Sequence, residues 1–385
     1  MSRPLRRRLW AVRAFYALCL CQLLSIAGLE MGIVFLPAYF ADLGVQGSAD
    51  ILRWTALANL VTFLASLLCT PLWGRLGDRI GHKKMLVRAH LGMALALAFM
   101  SCARTPLEAV LARVVHGALA GLTPAAMALV SDGRRSAQRI SWVQTSVTAG
   151  AMVGPLLGSF LLAPVGASGL YLAGAVMAAL SAAMVGWLAR ETPRAPASPR
   201  SRSRVNWLGP ASLAAWVLLW RSLEDTVLPV YLQEVGGANW ALWVGVALTG
   251  SRLAAMLATP LWGLLAQRFG STRVLAFSLV GAGCLTLAQL MAGSLAVLGL
   301  VRFLLGALRG GILPCLYSAS AEAAAPACRG QAIAWTASGV RLGKTLGNLA
   351  APVLVVSLGF SGLFACMGLG LLLALPALPR LLRAR

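Results

Sequence analysis

The chain has 385 residues, 59% of them hydrophobic and only 11% charged, and its 33 basic against 11 acidic side chains give a formal net charge of +22. A water-soluble globular chain carries about a quarter charged residues, so this composition excludes a soluble domain and leaves room for about a dozen apolar spans of ~20 residues. The positive surplus does not mark a nucleic-acid surface, because the basic residues punctuate apolar runs instead of covering one soluble face.

The first predicted element begins behind Arg3, Arg6, Arg7, Arg8 and Arg13 and runs apolar over 14–40. That run is too long for a signal-peptide core and lacks a small-residue cleavage site, so it reads as a retained first helix. Further apolar runs follow at 52–74, 85–102, 107–130, 140–164 and 169–189, then at 207–232, 240–263, 274–293, 295–318, 331–357 and 361–379. The expected fold is therefore an all-α membrane protein of twelve transmembrane helices. Sorting Lys and Arg by alternate sides places 24 with the N-terminus and only Arg53 and Arg104 opposite. The positive-inside rule then puts both termini in the cytoplasm of a bacterial-type inner membrane.

Between the sixth and seventh runs stands ETPRAPASPRSRSR, Glu191 to Arg204, whose Pro, Ser and Arg content suits a flexible cytoplasmic linker rather than a span. The expected division is an N-terminal six-helix bundle at 1–189, a linker at 190–206 and a C-terminal six-helix bundle at 207–385. The eight cysteines form no CxxC pair, which indicates neither a disulfide framework nor a metal site.

The halves are related. TPLWGRLGDRIGHKKML from Thr70 matches TPLWGLLAQRFGSTRVL from Thr259 without a gap. The register that sets Thr70 on Thr259 also carries Arg113 onto Arg302 and the series Gly150, Gly154, Gly158 onto Gly339, Gly343, Gly347. Chance composition does not keep one register over four helices, and parallel six-helix repeats are a plan used by membrane transporters with a mid-membrane substrate site.

The loop from Gly74 to Lys84, with Asp78, Arg79 and Gly81, resembles the signature between helices 2 and 3 of the major facilitator superfamily. Gly150, Gly154, Pro155 and Gly158 resemble the fifth-helix element of that superfamily's twelve-helix drug:proton antiporters, and Arg113 with Gly117 and Gly121 resembles its buried-arginine motif, although His116 stands where glutamine is common. The resemblance implies a transporter with an alternating-access cycle, and because the sequence carries no HExxH, GxSxG, P-loop or nucleotide-binding fingerprint, neither an enzyme nor a cofactor is expected. In that cycle, Gly74, Asp78, Arg79 and Gly81 act as a conformational switch, while Gly150, Gly154, Pro155 and Gly158 pack helices.

Ionisable residues at membrane depth are costly and are functional candidates. The three acids are Glu30, Glu224 and Asp225. Each half sets an acid on its first helix and an arginine, Arg113 or Arg302, on its fourth. Burial favours the neutral acid and a nearby arginine favours the carboxylate, so alternating contact would make proton uptake depend on state. Glu30 is expected as the principal protonation site, with Asp225 or Glu224 auxiliary and Arg113 modulating.

The cations Arg221, Arg252, Arg302, Arg309, Arg341 and Lys344 gather in the second half and leave a positive surplus that is expected to face a substrate cavity. Two substrate readings stand open: a broad range of amphipathic drugs, or one anionic metabolite such as a carboxylate siderophore. Import is the lesser alternative. The expected partners are a small molecule, protons and the bilayer, with a monomer as the working unit.

Overall fold

The computed structural model describes residues 3–133, 135–188, 208–235, 240–292 and 294–378, and the linker expected at 190–206 lies outside them. Among these residues the chain is helical throughout: α1 Arg3–Ile33, α2 Leu36–Asp42, α3 Ser48–Ile80, α4 His82–Cys102, α5 Pro106–Ala118, α6 Leu122–Val130, α7 Ser136–Leu188, α8 Leu208–Val235, α9 Trp240–Phe269, α10 Ser271–Ala288, α11 Leu295–Arg309, α12 Ile312–Ala323 and α13 Arg329–Leu372. Eight stretches in this set are long and apolar enough to cross a membrane.

Local chemistry sets the ends of these helices. Thr105 caps α5 by accepting the Glu108 amide, with Pro106 in the first turn, and at the repeat-related position Ser294 caps α11 by accepting the Val297 amide. The turn from α3 to α4 passes through Gly81 at φ 113°, and that from α9 to α10 through Gly270 at φ 92°, a left-handed backbone that glycine adopts without steric cost. Two elements contain a reversal: α7 breaks at Gly166 (φ 69°) and α13 at Gly359 (φ 65°).

The chain forms two compact units. One comprises Met1–Val130 with Ser146–Pro196, and the other Ser131–Thr145 with Ala197–Arg385. The start of α7 thus packs in the second unit, where Gly263 of α9 lies against Ser141 and Arg329 makes an ion pair with Asp132.

Within each unit the helices meet backbone to backbone. In the first, a Cβ on Gly150, Gly154 or Gly158 of α7 would lie 2.6 to 2.8 Å from the carbonyl oxygens of Leu23, Ala27 and Met31 of α1. In the second, Gly339, Gly343 and Gly347 of α13 meet the carbonyls of Ala211, Ala215 and Leu219 of α8 in the same way and more closely still. Apolar side chains gain little by leaving lipid for another helix, so close approach at small residues and the dispersion it allows hold such helices together.

The Trp73 indole donates to the Ala118 carbonyl at 2.7 Å, and its counterpart Trp262 donates to that of Ala307, also at 2.7 Å. Around Trp73, Arg88 stacks on the ring at 3.9 Å and donates to the Leu119 and Ala120 carbonyls, which satisfies acceptors at the broken end of α5. In the second unit Phe277 takes the place of Arg88, its ring centroid 6.0 Å from that of Trp262.

The close contacts give a direct test. Gly306→Ala would drive its Cβ into the Ser251 carbonyl oxygen, and is expected to cost ~1–3 kcal/mol. Gly186→Ala, where nothing lies within 4 Å, is expected to be neutral or to stabilise by up to ~1 kcal/mol. Thermal unfolding of the detergent-solubilised protein separates the two.

Candidate functional site

In the first unit the candidate acid and arginine come from α1 and α5. Glu30 is half-buried on α1, beside Gly154 of α7, whose added Cβ would lie 2.8 Å from the Glu30 Cβ. Arg113 is only 4% exposed and lies within electrostatic reach of Glu30 and of Tyr171. Its Nη2 donates to the Asn59 Oδ1 of α3 at 2.9 Å, and its Nη1 lies 3.2 Å from the His116 Nδ1. A guanidinium can only donate, so Nδ1 accepts and the imidazole carries its proton on Nε2. Protonating His116 would break that contact. The arginine is therefore held from two sides, by Asn59 and by His116.

The switch loop closes on itself within the same unit. Asp78, in the last turns of α3, has a side chain 7% exposed, and its Oδ1 stands 3.4 Å from the Nε2 of His82, the first residue of α4. A Cβ on Gly77 would lie 3.0 Å from the His82 Nδ1, which explains glycine there. Gly74 is half-buried, Gly81 supplies the left-handed turn, and Arg79 is exposed.

The second unit holds a different arrangement. Glu224 of α8 is fully buried, and each of its carboxylate oxygens takes one arginine of α11: Arg302 on Oε1 and Arg309 on Oε2. Gln289 donates to Oε1 at 2.8 Å, and Arg309 also reaches the Thr286 hydroxyl of α10 at 3.3 Å. The two arginines are 1% and 5% exposed. This corrects the expectation that Arg302 and Arg309 face a cavity. Seven residues apart on α11, they share the face turned to α8, and one carboxylate engages both. The three side chains together carry a net charge of about +1, and the single Glu224 carboxylate accepts from both guanidinium groups.

The structure also corrects the supposed symmetry of the acids. The glycine contacts set Leu23, Ala27 and Met31 of α1 against Ala211, Ala215 and Leu219 of α8 as counterparts, which places Glu30 opposite Leu218 and Glu224 opposite Leu36. Glu30 and Glu224 therefore belong to different levels of their helices.

Of the other cations, Arg252 of α9 and Lys344 of α13 are exposed, while Arg221 and Arg341 are half-buried, the latter within reach of Tyr317. The Asp225 side chain lies outside the described residues. Pro155 follows Gly154 inside α7 and is half-buried. The sequence reading missed Asn59, Thr286 and Gln289. Each is a polar residue within an apolar run, which was the available signal, but nothing in the run says which helix it faces.

Removing the Glu224 charge should be costly. Glu224→Gln takes the shared carboxylate away from two buried arginines and is expected to destabilise by about 3–5 kcal/mol, whereas the apolar triple replacement Glu224→Leu/Arg302→Met/Arg309→Met is expected to fold. Thermal unfolding of both variants checks this.

Comparisons with known proteins extend over the whole arrangement. The sequence pattern described as Major Facilitator Superfamily matches residues 18–243 and 225–385. The multidrug resistance protein MdtG of Proteus mirabilis is 27% identical over 356 residues, covering 89% of each chain. An uncharacterized transporter of the same type, YuxJ of Bacillus subtilis, is 28% identical over 341 residues, covering 84% of this chain and 86% of its own. Among solved structures, the human organic anion transporter MFSD10 superposes with a TM-score of 0.78 at 18% identity, covering 95% of this chain and 99% of its own. The Escherichia coli fucose:proton symporter FucP gives 0.78 at 15% identity, covering 95% and 98%. Family pattern, relatives and fold agree, and the chain belongs to the Major Facilitator Superfamily of membrane-spanning transporters.

Proposed function

We propose that this protein is a proton-coupled exporter of small organic molecules in a bacterial inner membrane. It has twelve spans in two bundles at 1–189 and 207–385, a cytoplasmic linker at 190–206 and both termini in the cytoplasm. The span count is supported by the breaks: α7 and α13 each reverse at a left-handed glycine and supply two spans, while α1–α2, α5–α6 and α11–α12 are each one interrupted span. The export reading is supported by relatives named multidrug resistance proteins that match this chain over about nine-tenths of its length.

The observation that carries the coupling scheme is the contrast between two acids. Glu224 is locked, because protonating it would leave two buried arginines without their counter-charge. Glu30 is half-buried and faces one arginine that Asn59 and His116 already hold. A change of charge on Glu30 therefore leaves that arginine with its hydrogen bonds to Asn59 and His116. Asp225 serves as an auxiliary acid. The Asp78–His82 contact across the Gly81 turn changes between the two access states, so proton and substrate are carried by one rocking of the halves about a central site.

A second substrate reading has its own support. Arg252 and Lys344 are exposed at mid-span, and an exposed cation at that depth is best placed against water or an anionic group rather than hydrocarbon. Under this reading the cargo is an anionic metabolite, for example a carboxylate-rich siderophore, with Arg221 and Arg341 assisting.

Inverted vesicles supplied with external ethidium or carboxyfluorescein test both. Glu30→Gln is expected to lower gradient-driven dye accumulation by about tenfold, or ~1.4 kcal/mol, without lowering the thermal midpoint. Accumulation at the wild-type rate removes Glu30 from the scheme. Arg252→Gln/Lys344→Gln is expected to weaken carboxyfluorescein more than ethidium if the cargo is anionic, and both equally if those cations only hold the helix at its depth.

A further inference from the structure

The core of the first unit holds three polar side chains that neither the switch nor the acid–arginine pair uses. Gln22 and Ser25 of α1 and His90 of α4 are all 0% exposed. The Ser25 hydroxyl and the His90 Nδ1 are 2.8 Å apart. The His90 Nε2 and both amide atoms of Gln22 are buried without a hydrogen-bond partner. Each buried polar atom left unmatched costs ~1–3 kcal/mol.

The second unit shows that the fold does not require them. In the register that sets Leu23 on Ala211 and relates α1 to α8, Ser25 corresponds to Leu213 and Gln22 to Pro210. In the register that sets Gly81 on Gly270 and relates α4 to α10, His90 corresponds to Leu279. Leu213 and Leu279 are 2% and 0% exposed and belong to one hydrophobic cluster. The same packing position is filled by hydrocarbon in one unit and by a serine, a histidine and a glutamine in the other. Packing alone favours the leucines. The polar set must therefore be matched by something small, polar and neutral, and water fits: a buried water needs two to four polar partners, which Nε2 and the Gln22 amide supply.

Titratable neighbours leave the site to water. Cys21 of α1 shares a hydrogen bond with Ser181, the Arg88 guanidinium of α4 is engaged by the Leu119 and Ala120 carbonyls, and no charged side chain among the described residues bears on His90. Ser25 and Gln22 precede Glu30 by five and eight residues on α1, which is ~7 and ~12 Å toward the N-terminal side.

We propose that Gln22, Ser25 and His90 form a buried water-holding station on the cytoplasmic side of Glu30, through which the Glu30 proton passes to and from the cytoplasm. With the His90 Nδ1–H donating to the Ser25 hydroxyl, a proton leaving the Glu30 carboxyl moves along water to the Nε2 lone pair, and the same Nε2 then releases a proton to water on the cytoplasmic side, which regenerates the same neutral tautomer. His90 is a positioning and relay residue, and the proposal rests on the reading of Glu30 as the coupling acid.

Radiolytic hydroxyl-radical labelling of the detergent-solubilised protein reads the water directly, since radicals form from water held beside a side chain. His90 is expected to be modified several-fold faster than Met100, which is 1% exposed. In Ser25→Ala/His90→Leu the serine and the imidazole of the station are replaced by hydrocarbon. That variant is expected to keep its thermal midpoint and its dye exchange at equal pH, yet to lose gradient-driven accumulation of ethidium and carboxyfluorescein by about tenfold. His90→Gln, which still holds water but takes up no proton, is expected to lose accumulation too. If His90 is labelled no faster than Met100, or the double variant accumulates dye like wild type while Glu30→Gln does not, the station is overturned and the Glu30 reading stands. If Glu30→Gln accumulates dye like wild type, the Glu30 reading falls and takes the relay with it, even where His90 labels fast.

Discussion

The close approach of helix backbones at small residues is the constraint on which the rest of the structure depends. Lipid is as apolar as a leucine side chain, so helices inside it gain little from hiding one another's apolar surface. Contact has to come from bringing backbones near enough for many weak attractions. The glycines of α7 over the α1 carbonyls, and those of α13 over the α8 carbonyls, achieve this in both units. Because these contacts leave no room for side chains, they also fix the rotation of α1 and α8. That rotation decides what Glu30 and Glu224 can reach.

From nearly the same scaffold the two units derive opposite electrostatic outcomes. In the second, α8 turns its acid into the core, where α11 offers two arginines and α10 is followed directly by a glutamine, and the charge becomes part of the packing. In the first, Glu30 stays half-buried, and the arginine near it is tethered elsewhere. A buried acid with two cationic partners is expensive to neutralise, while a half-buried acid near one preoccupied arginine is not. The core under α1 and α4 follows the same division, with polar groups in the first unit where the second has leucines.

Much of this was legible in the sequence, for physical reasons that can be named. The single register relating the halves already pairs Gly81 with Gly270 and Trp73 with Trp262, and the structure extends it to the caps at Thr105 and Ser294, since each of these is set by local chemistry that the repeat preserves. What escaped notice depended on helix rotation. The first helices of the halves share too few identities to align, Leu20 with Leu208 and Ala27 with Ala215, so their register, one position out of step with the rest, emerged only from the glycine contacts, and with it the inequivalence of Glu30 and Glu224. Counting charges suggested unpaired cations in the second half. It could not reveal that Arg302 and Arg309, on a helix far along the chain, both close on Glu224. Asn59, His90 and Gln289 were hidden similarly, as single polar residues whose partners lie on other helices.

The central claim is that one acid, Glu30, carries the coupling while Glu224 is a fixed structural charge. Proton movement measured with a pH-sensitive dye, during ethidium or carboxyfluorescein transport by reconstituted protein, tests it most directly. The account predicts that Glu30→Gln abolishes dye-linked proton movement, while the folded triple variant Glu224→Leu/Arg302→Met/Arg309→Met retains it. Loss of proton movement in the triple variant together with its persistence in Glu30→Gln would contradict the account.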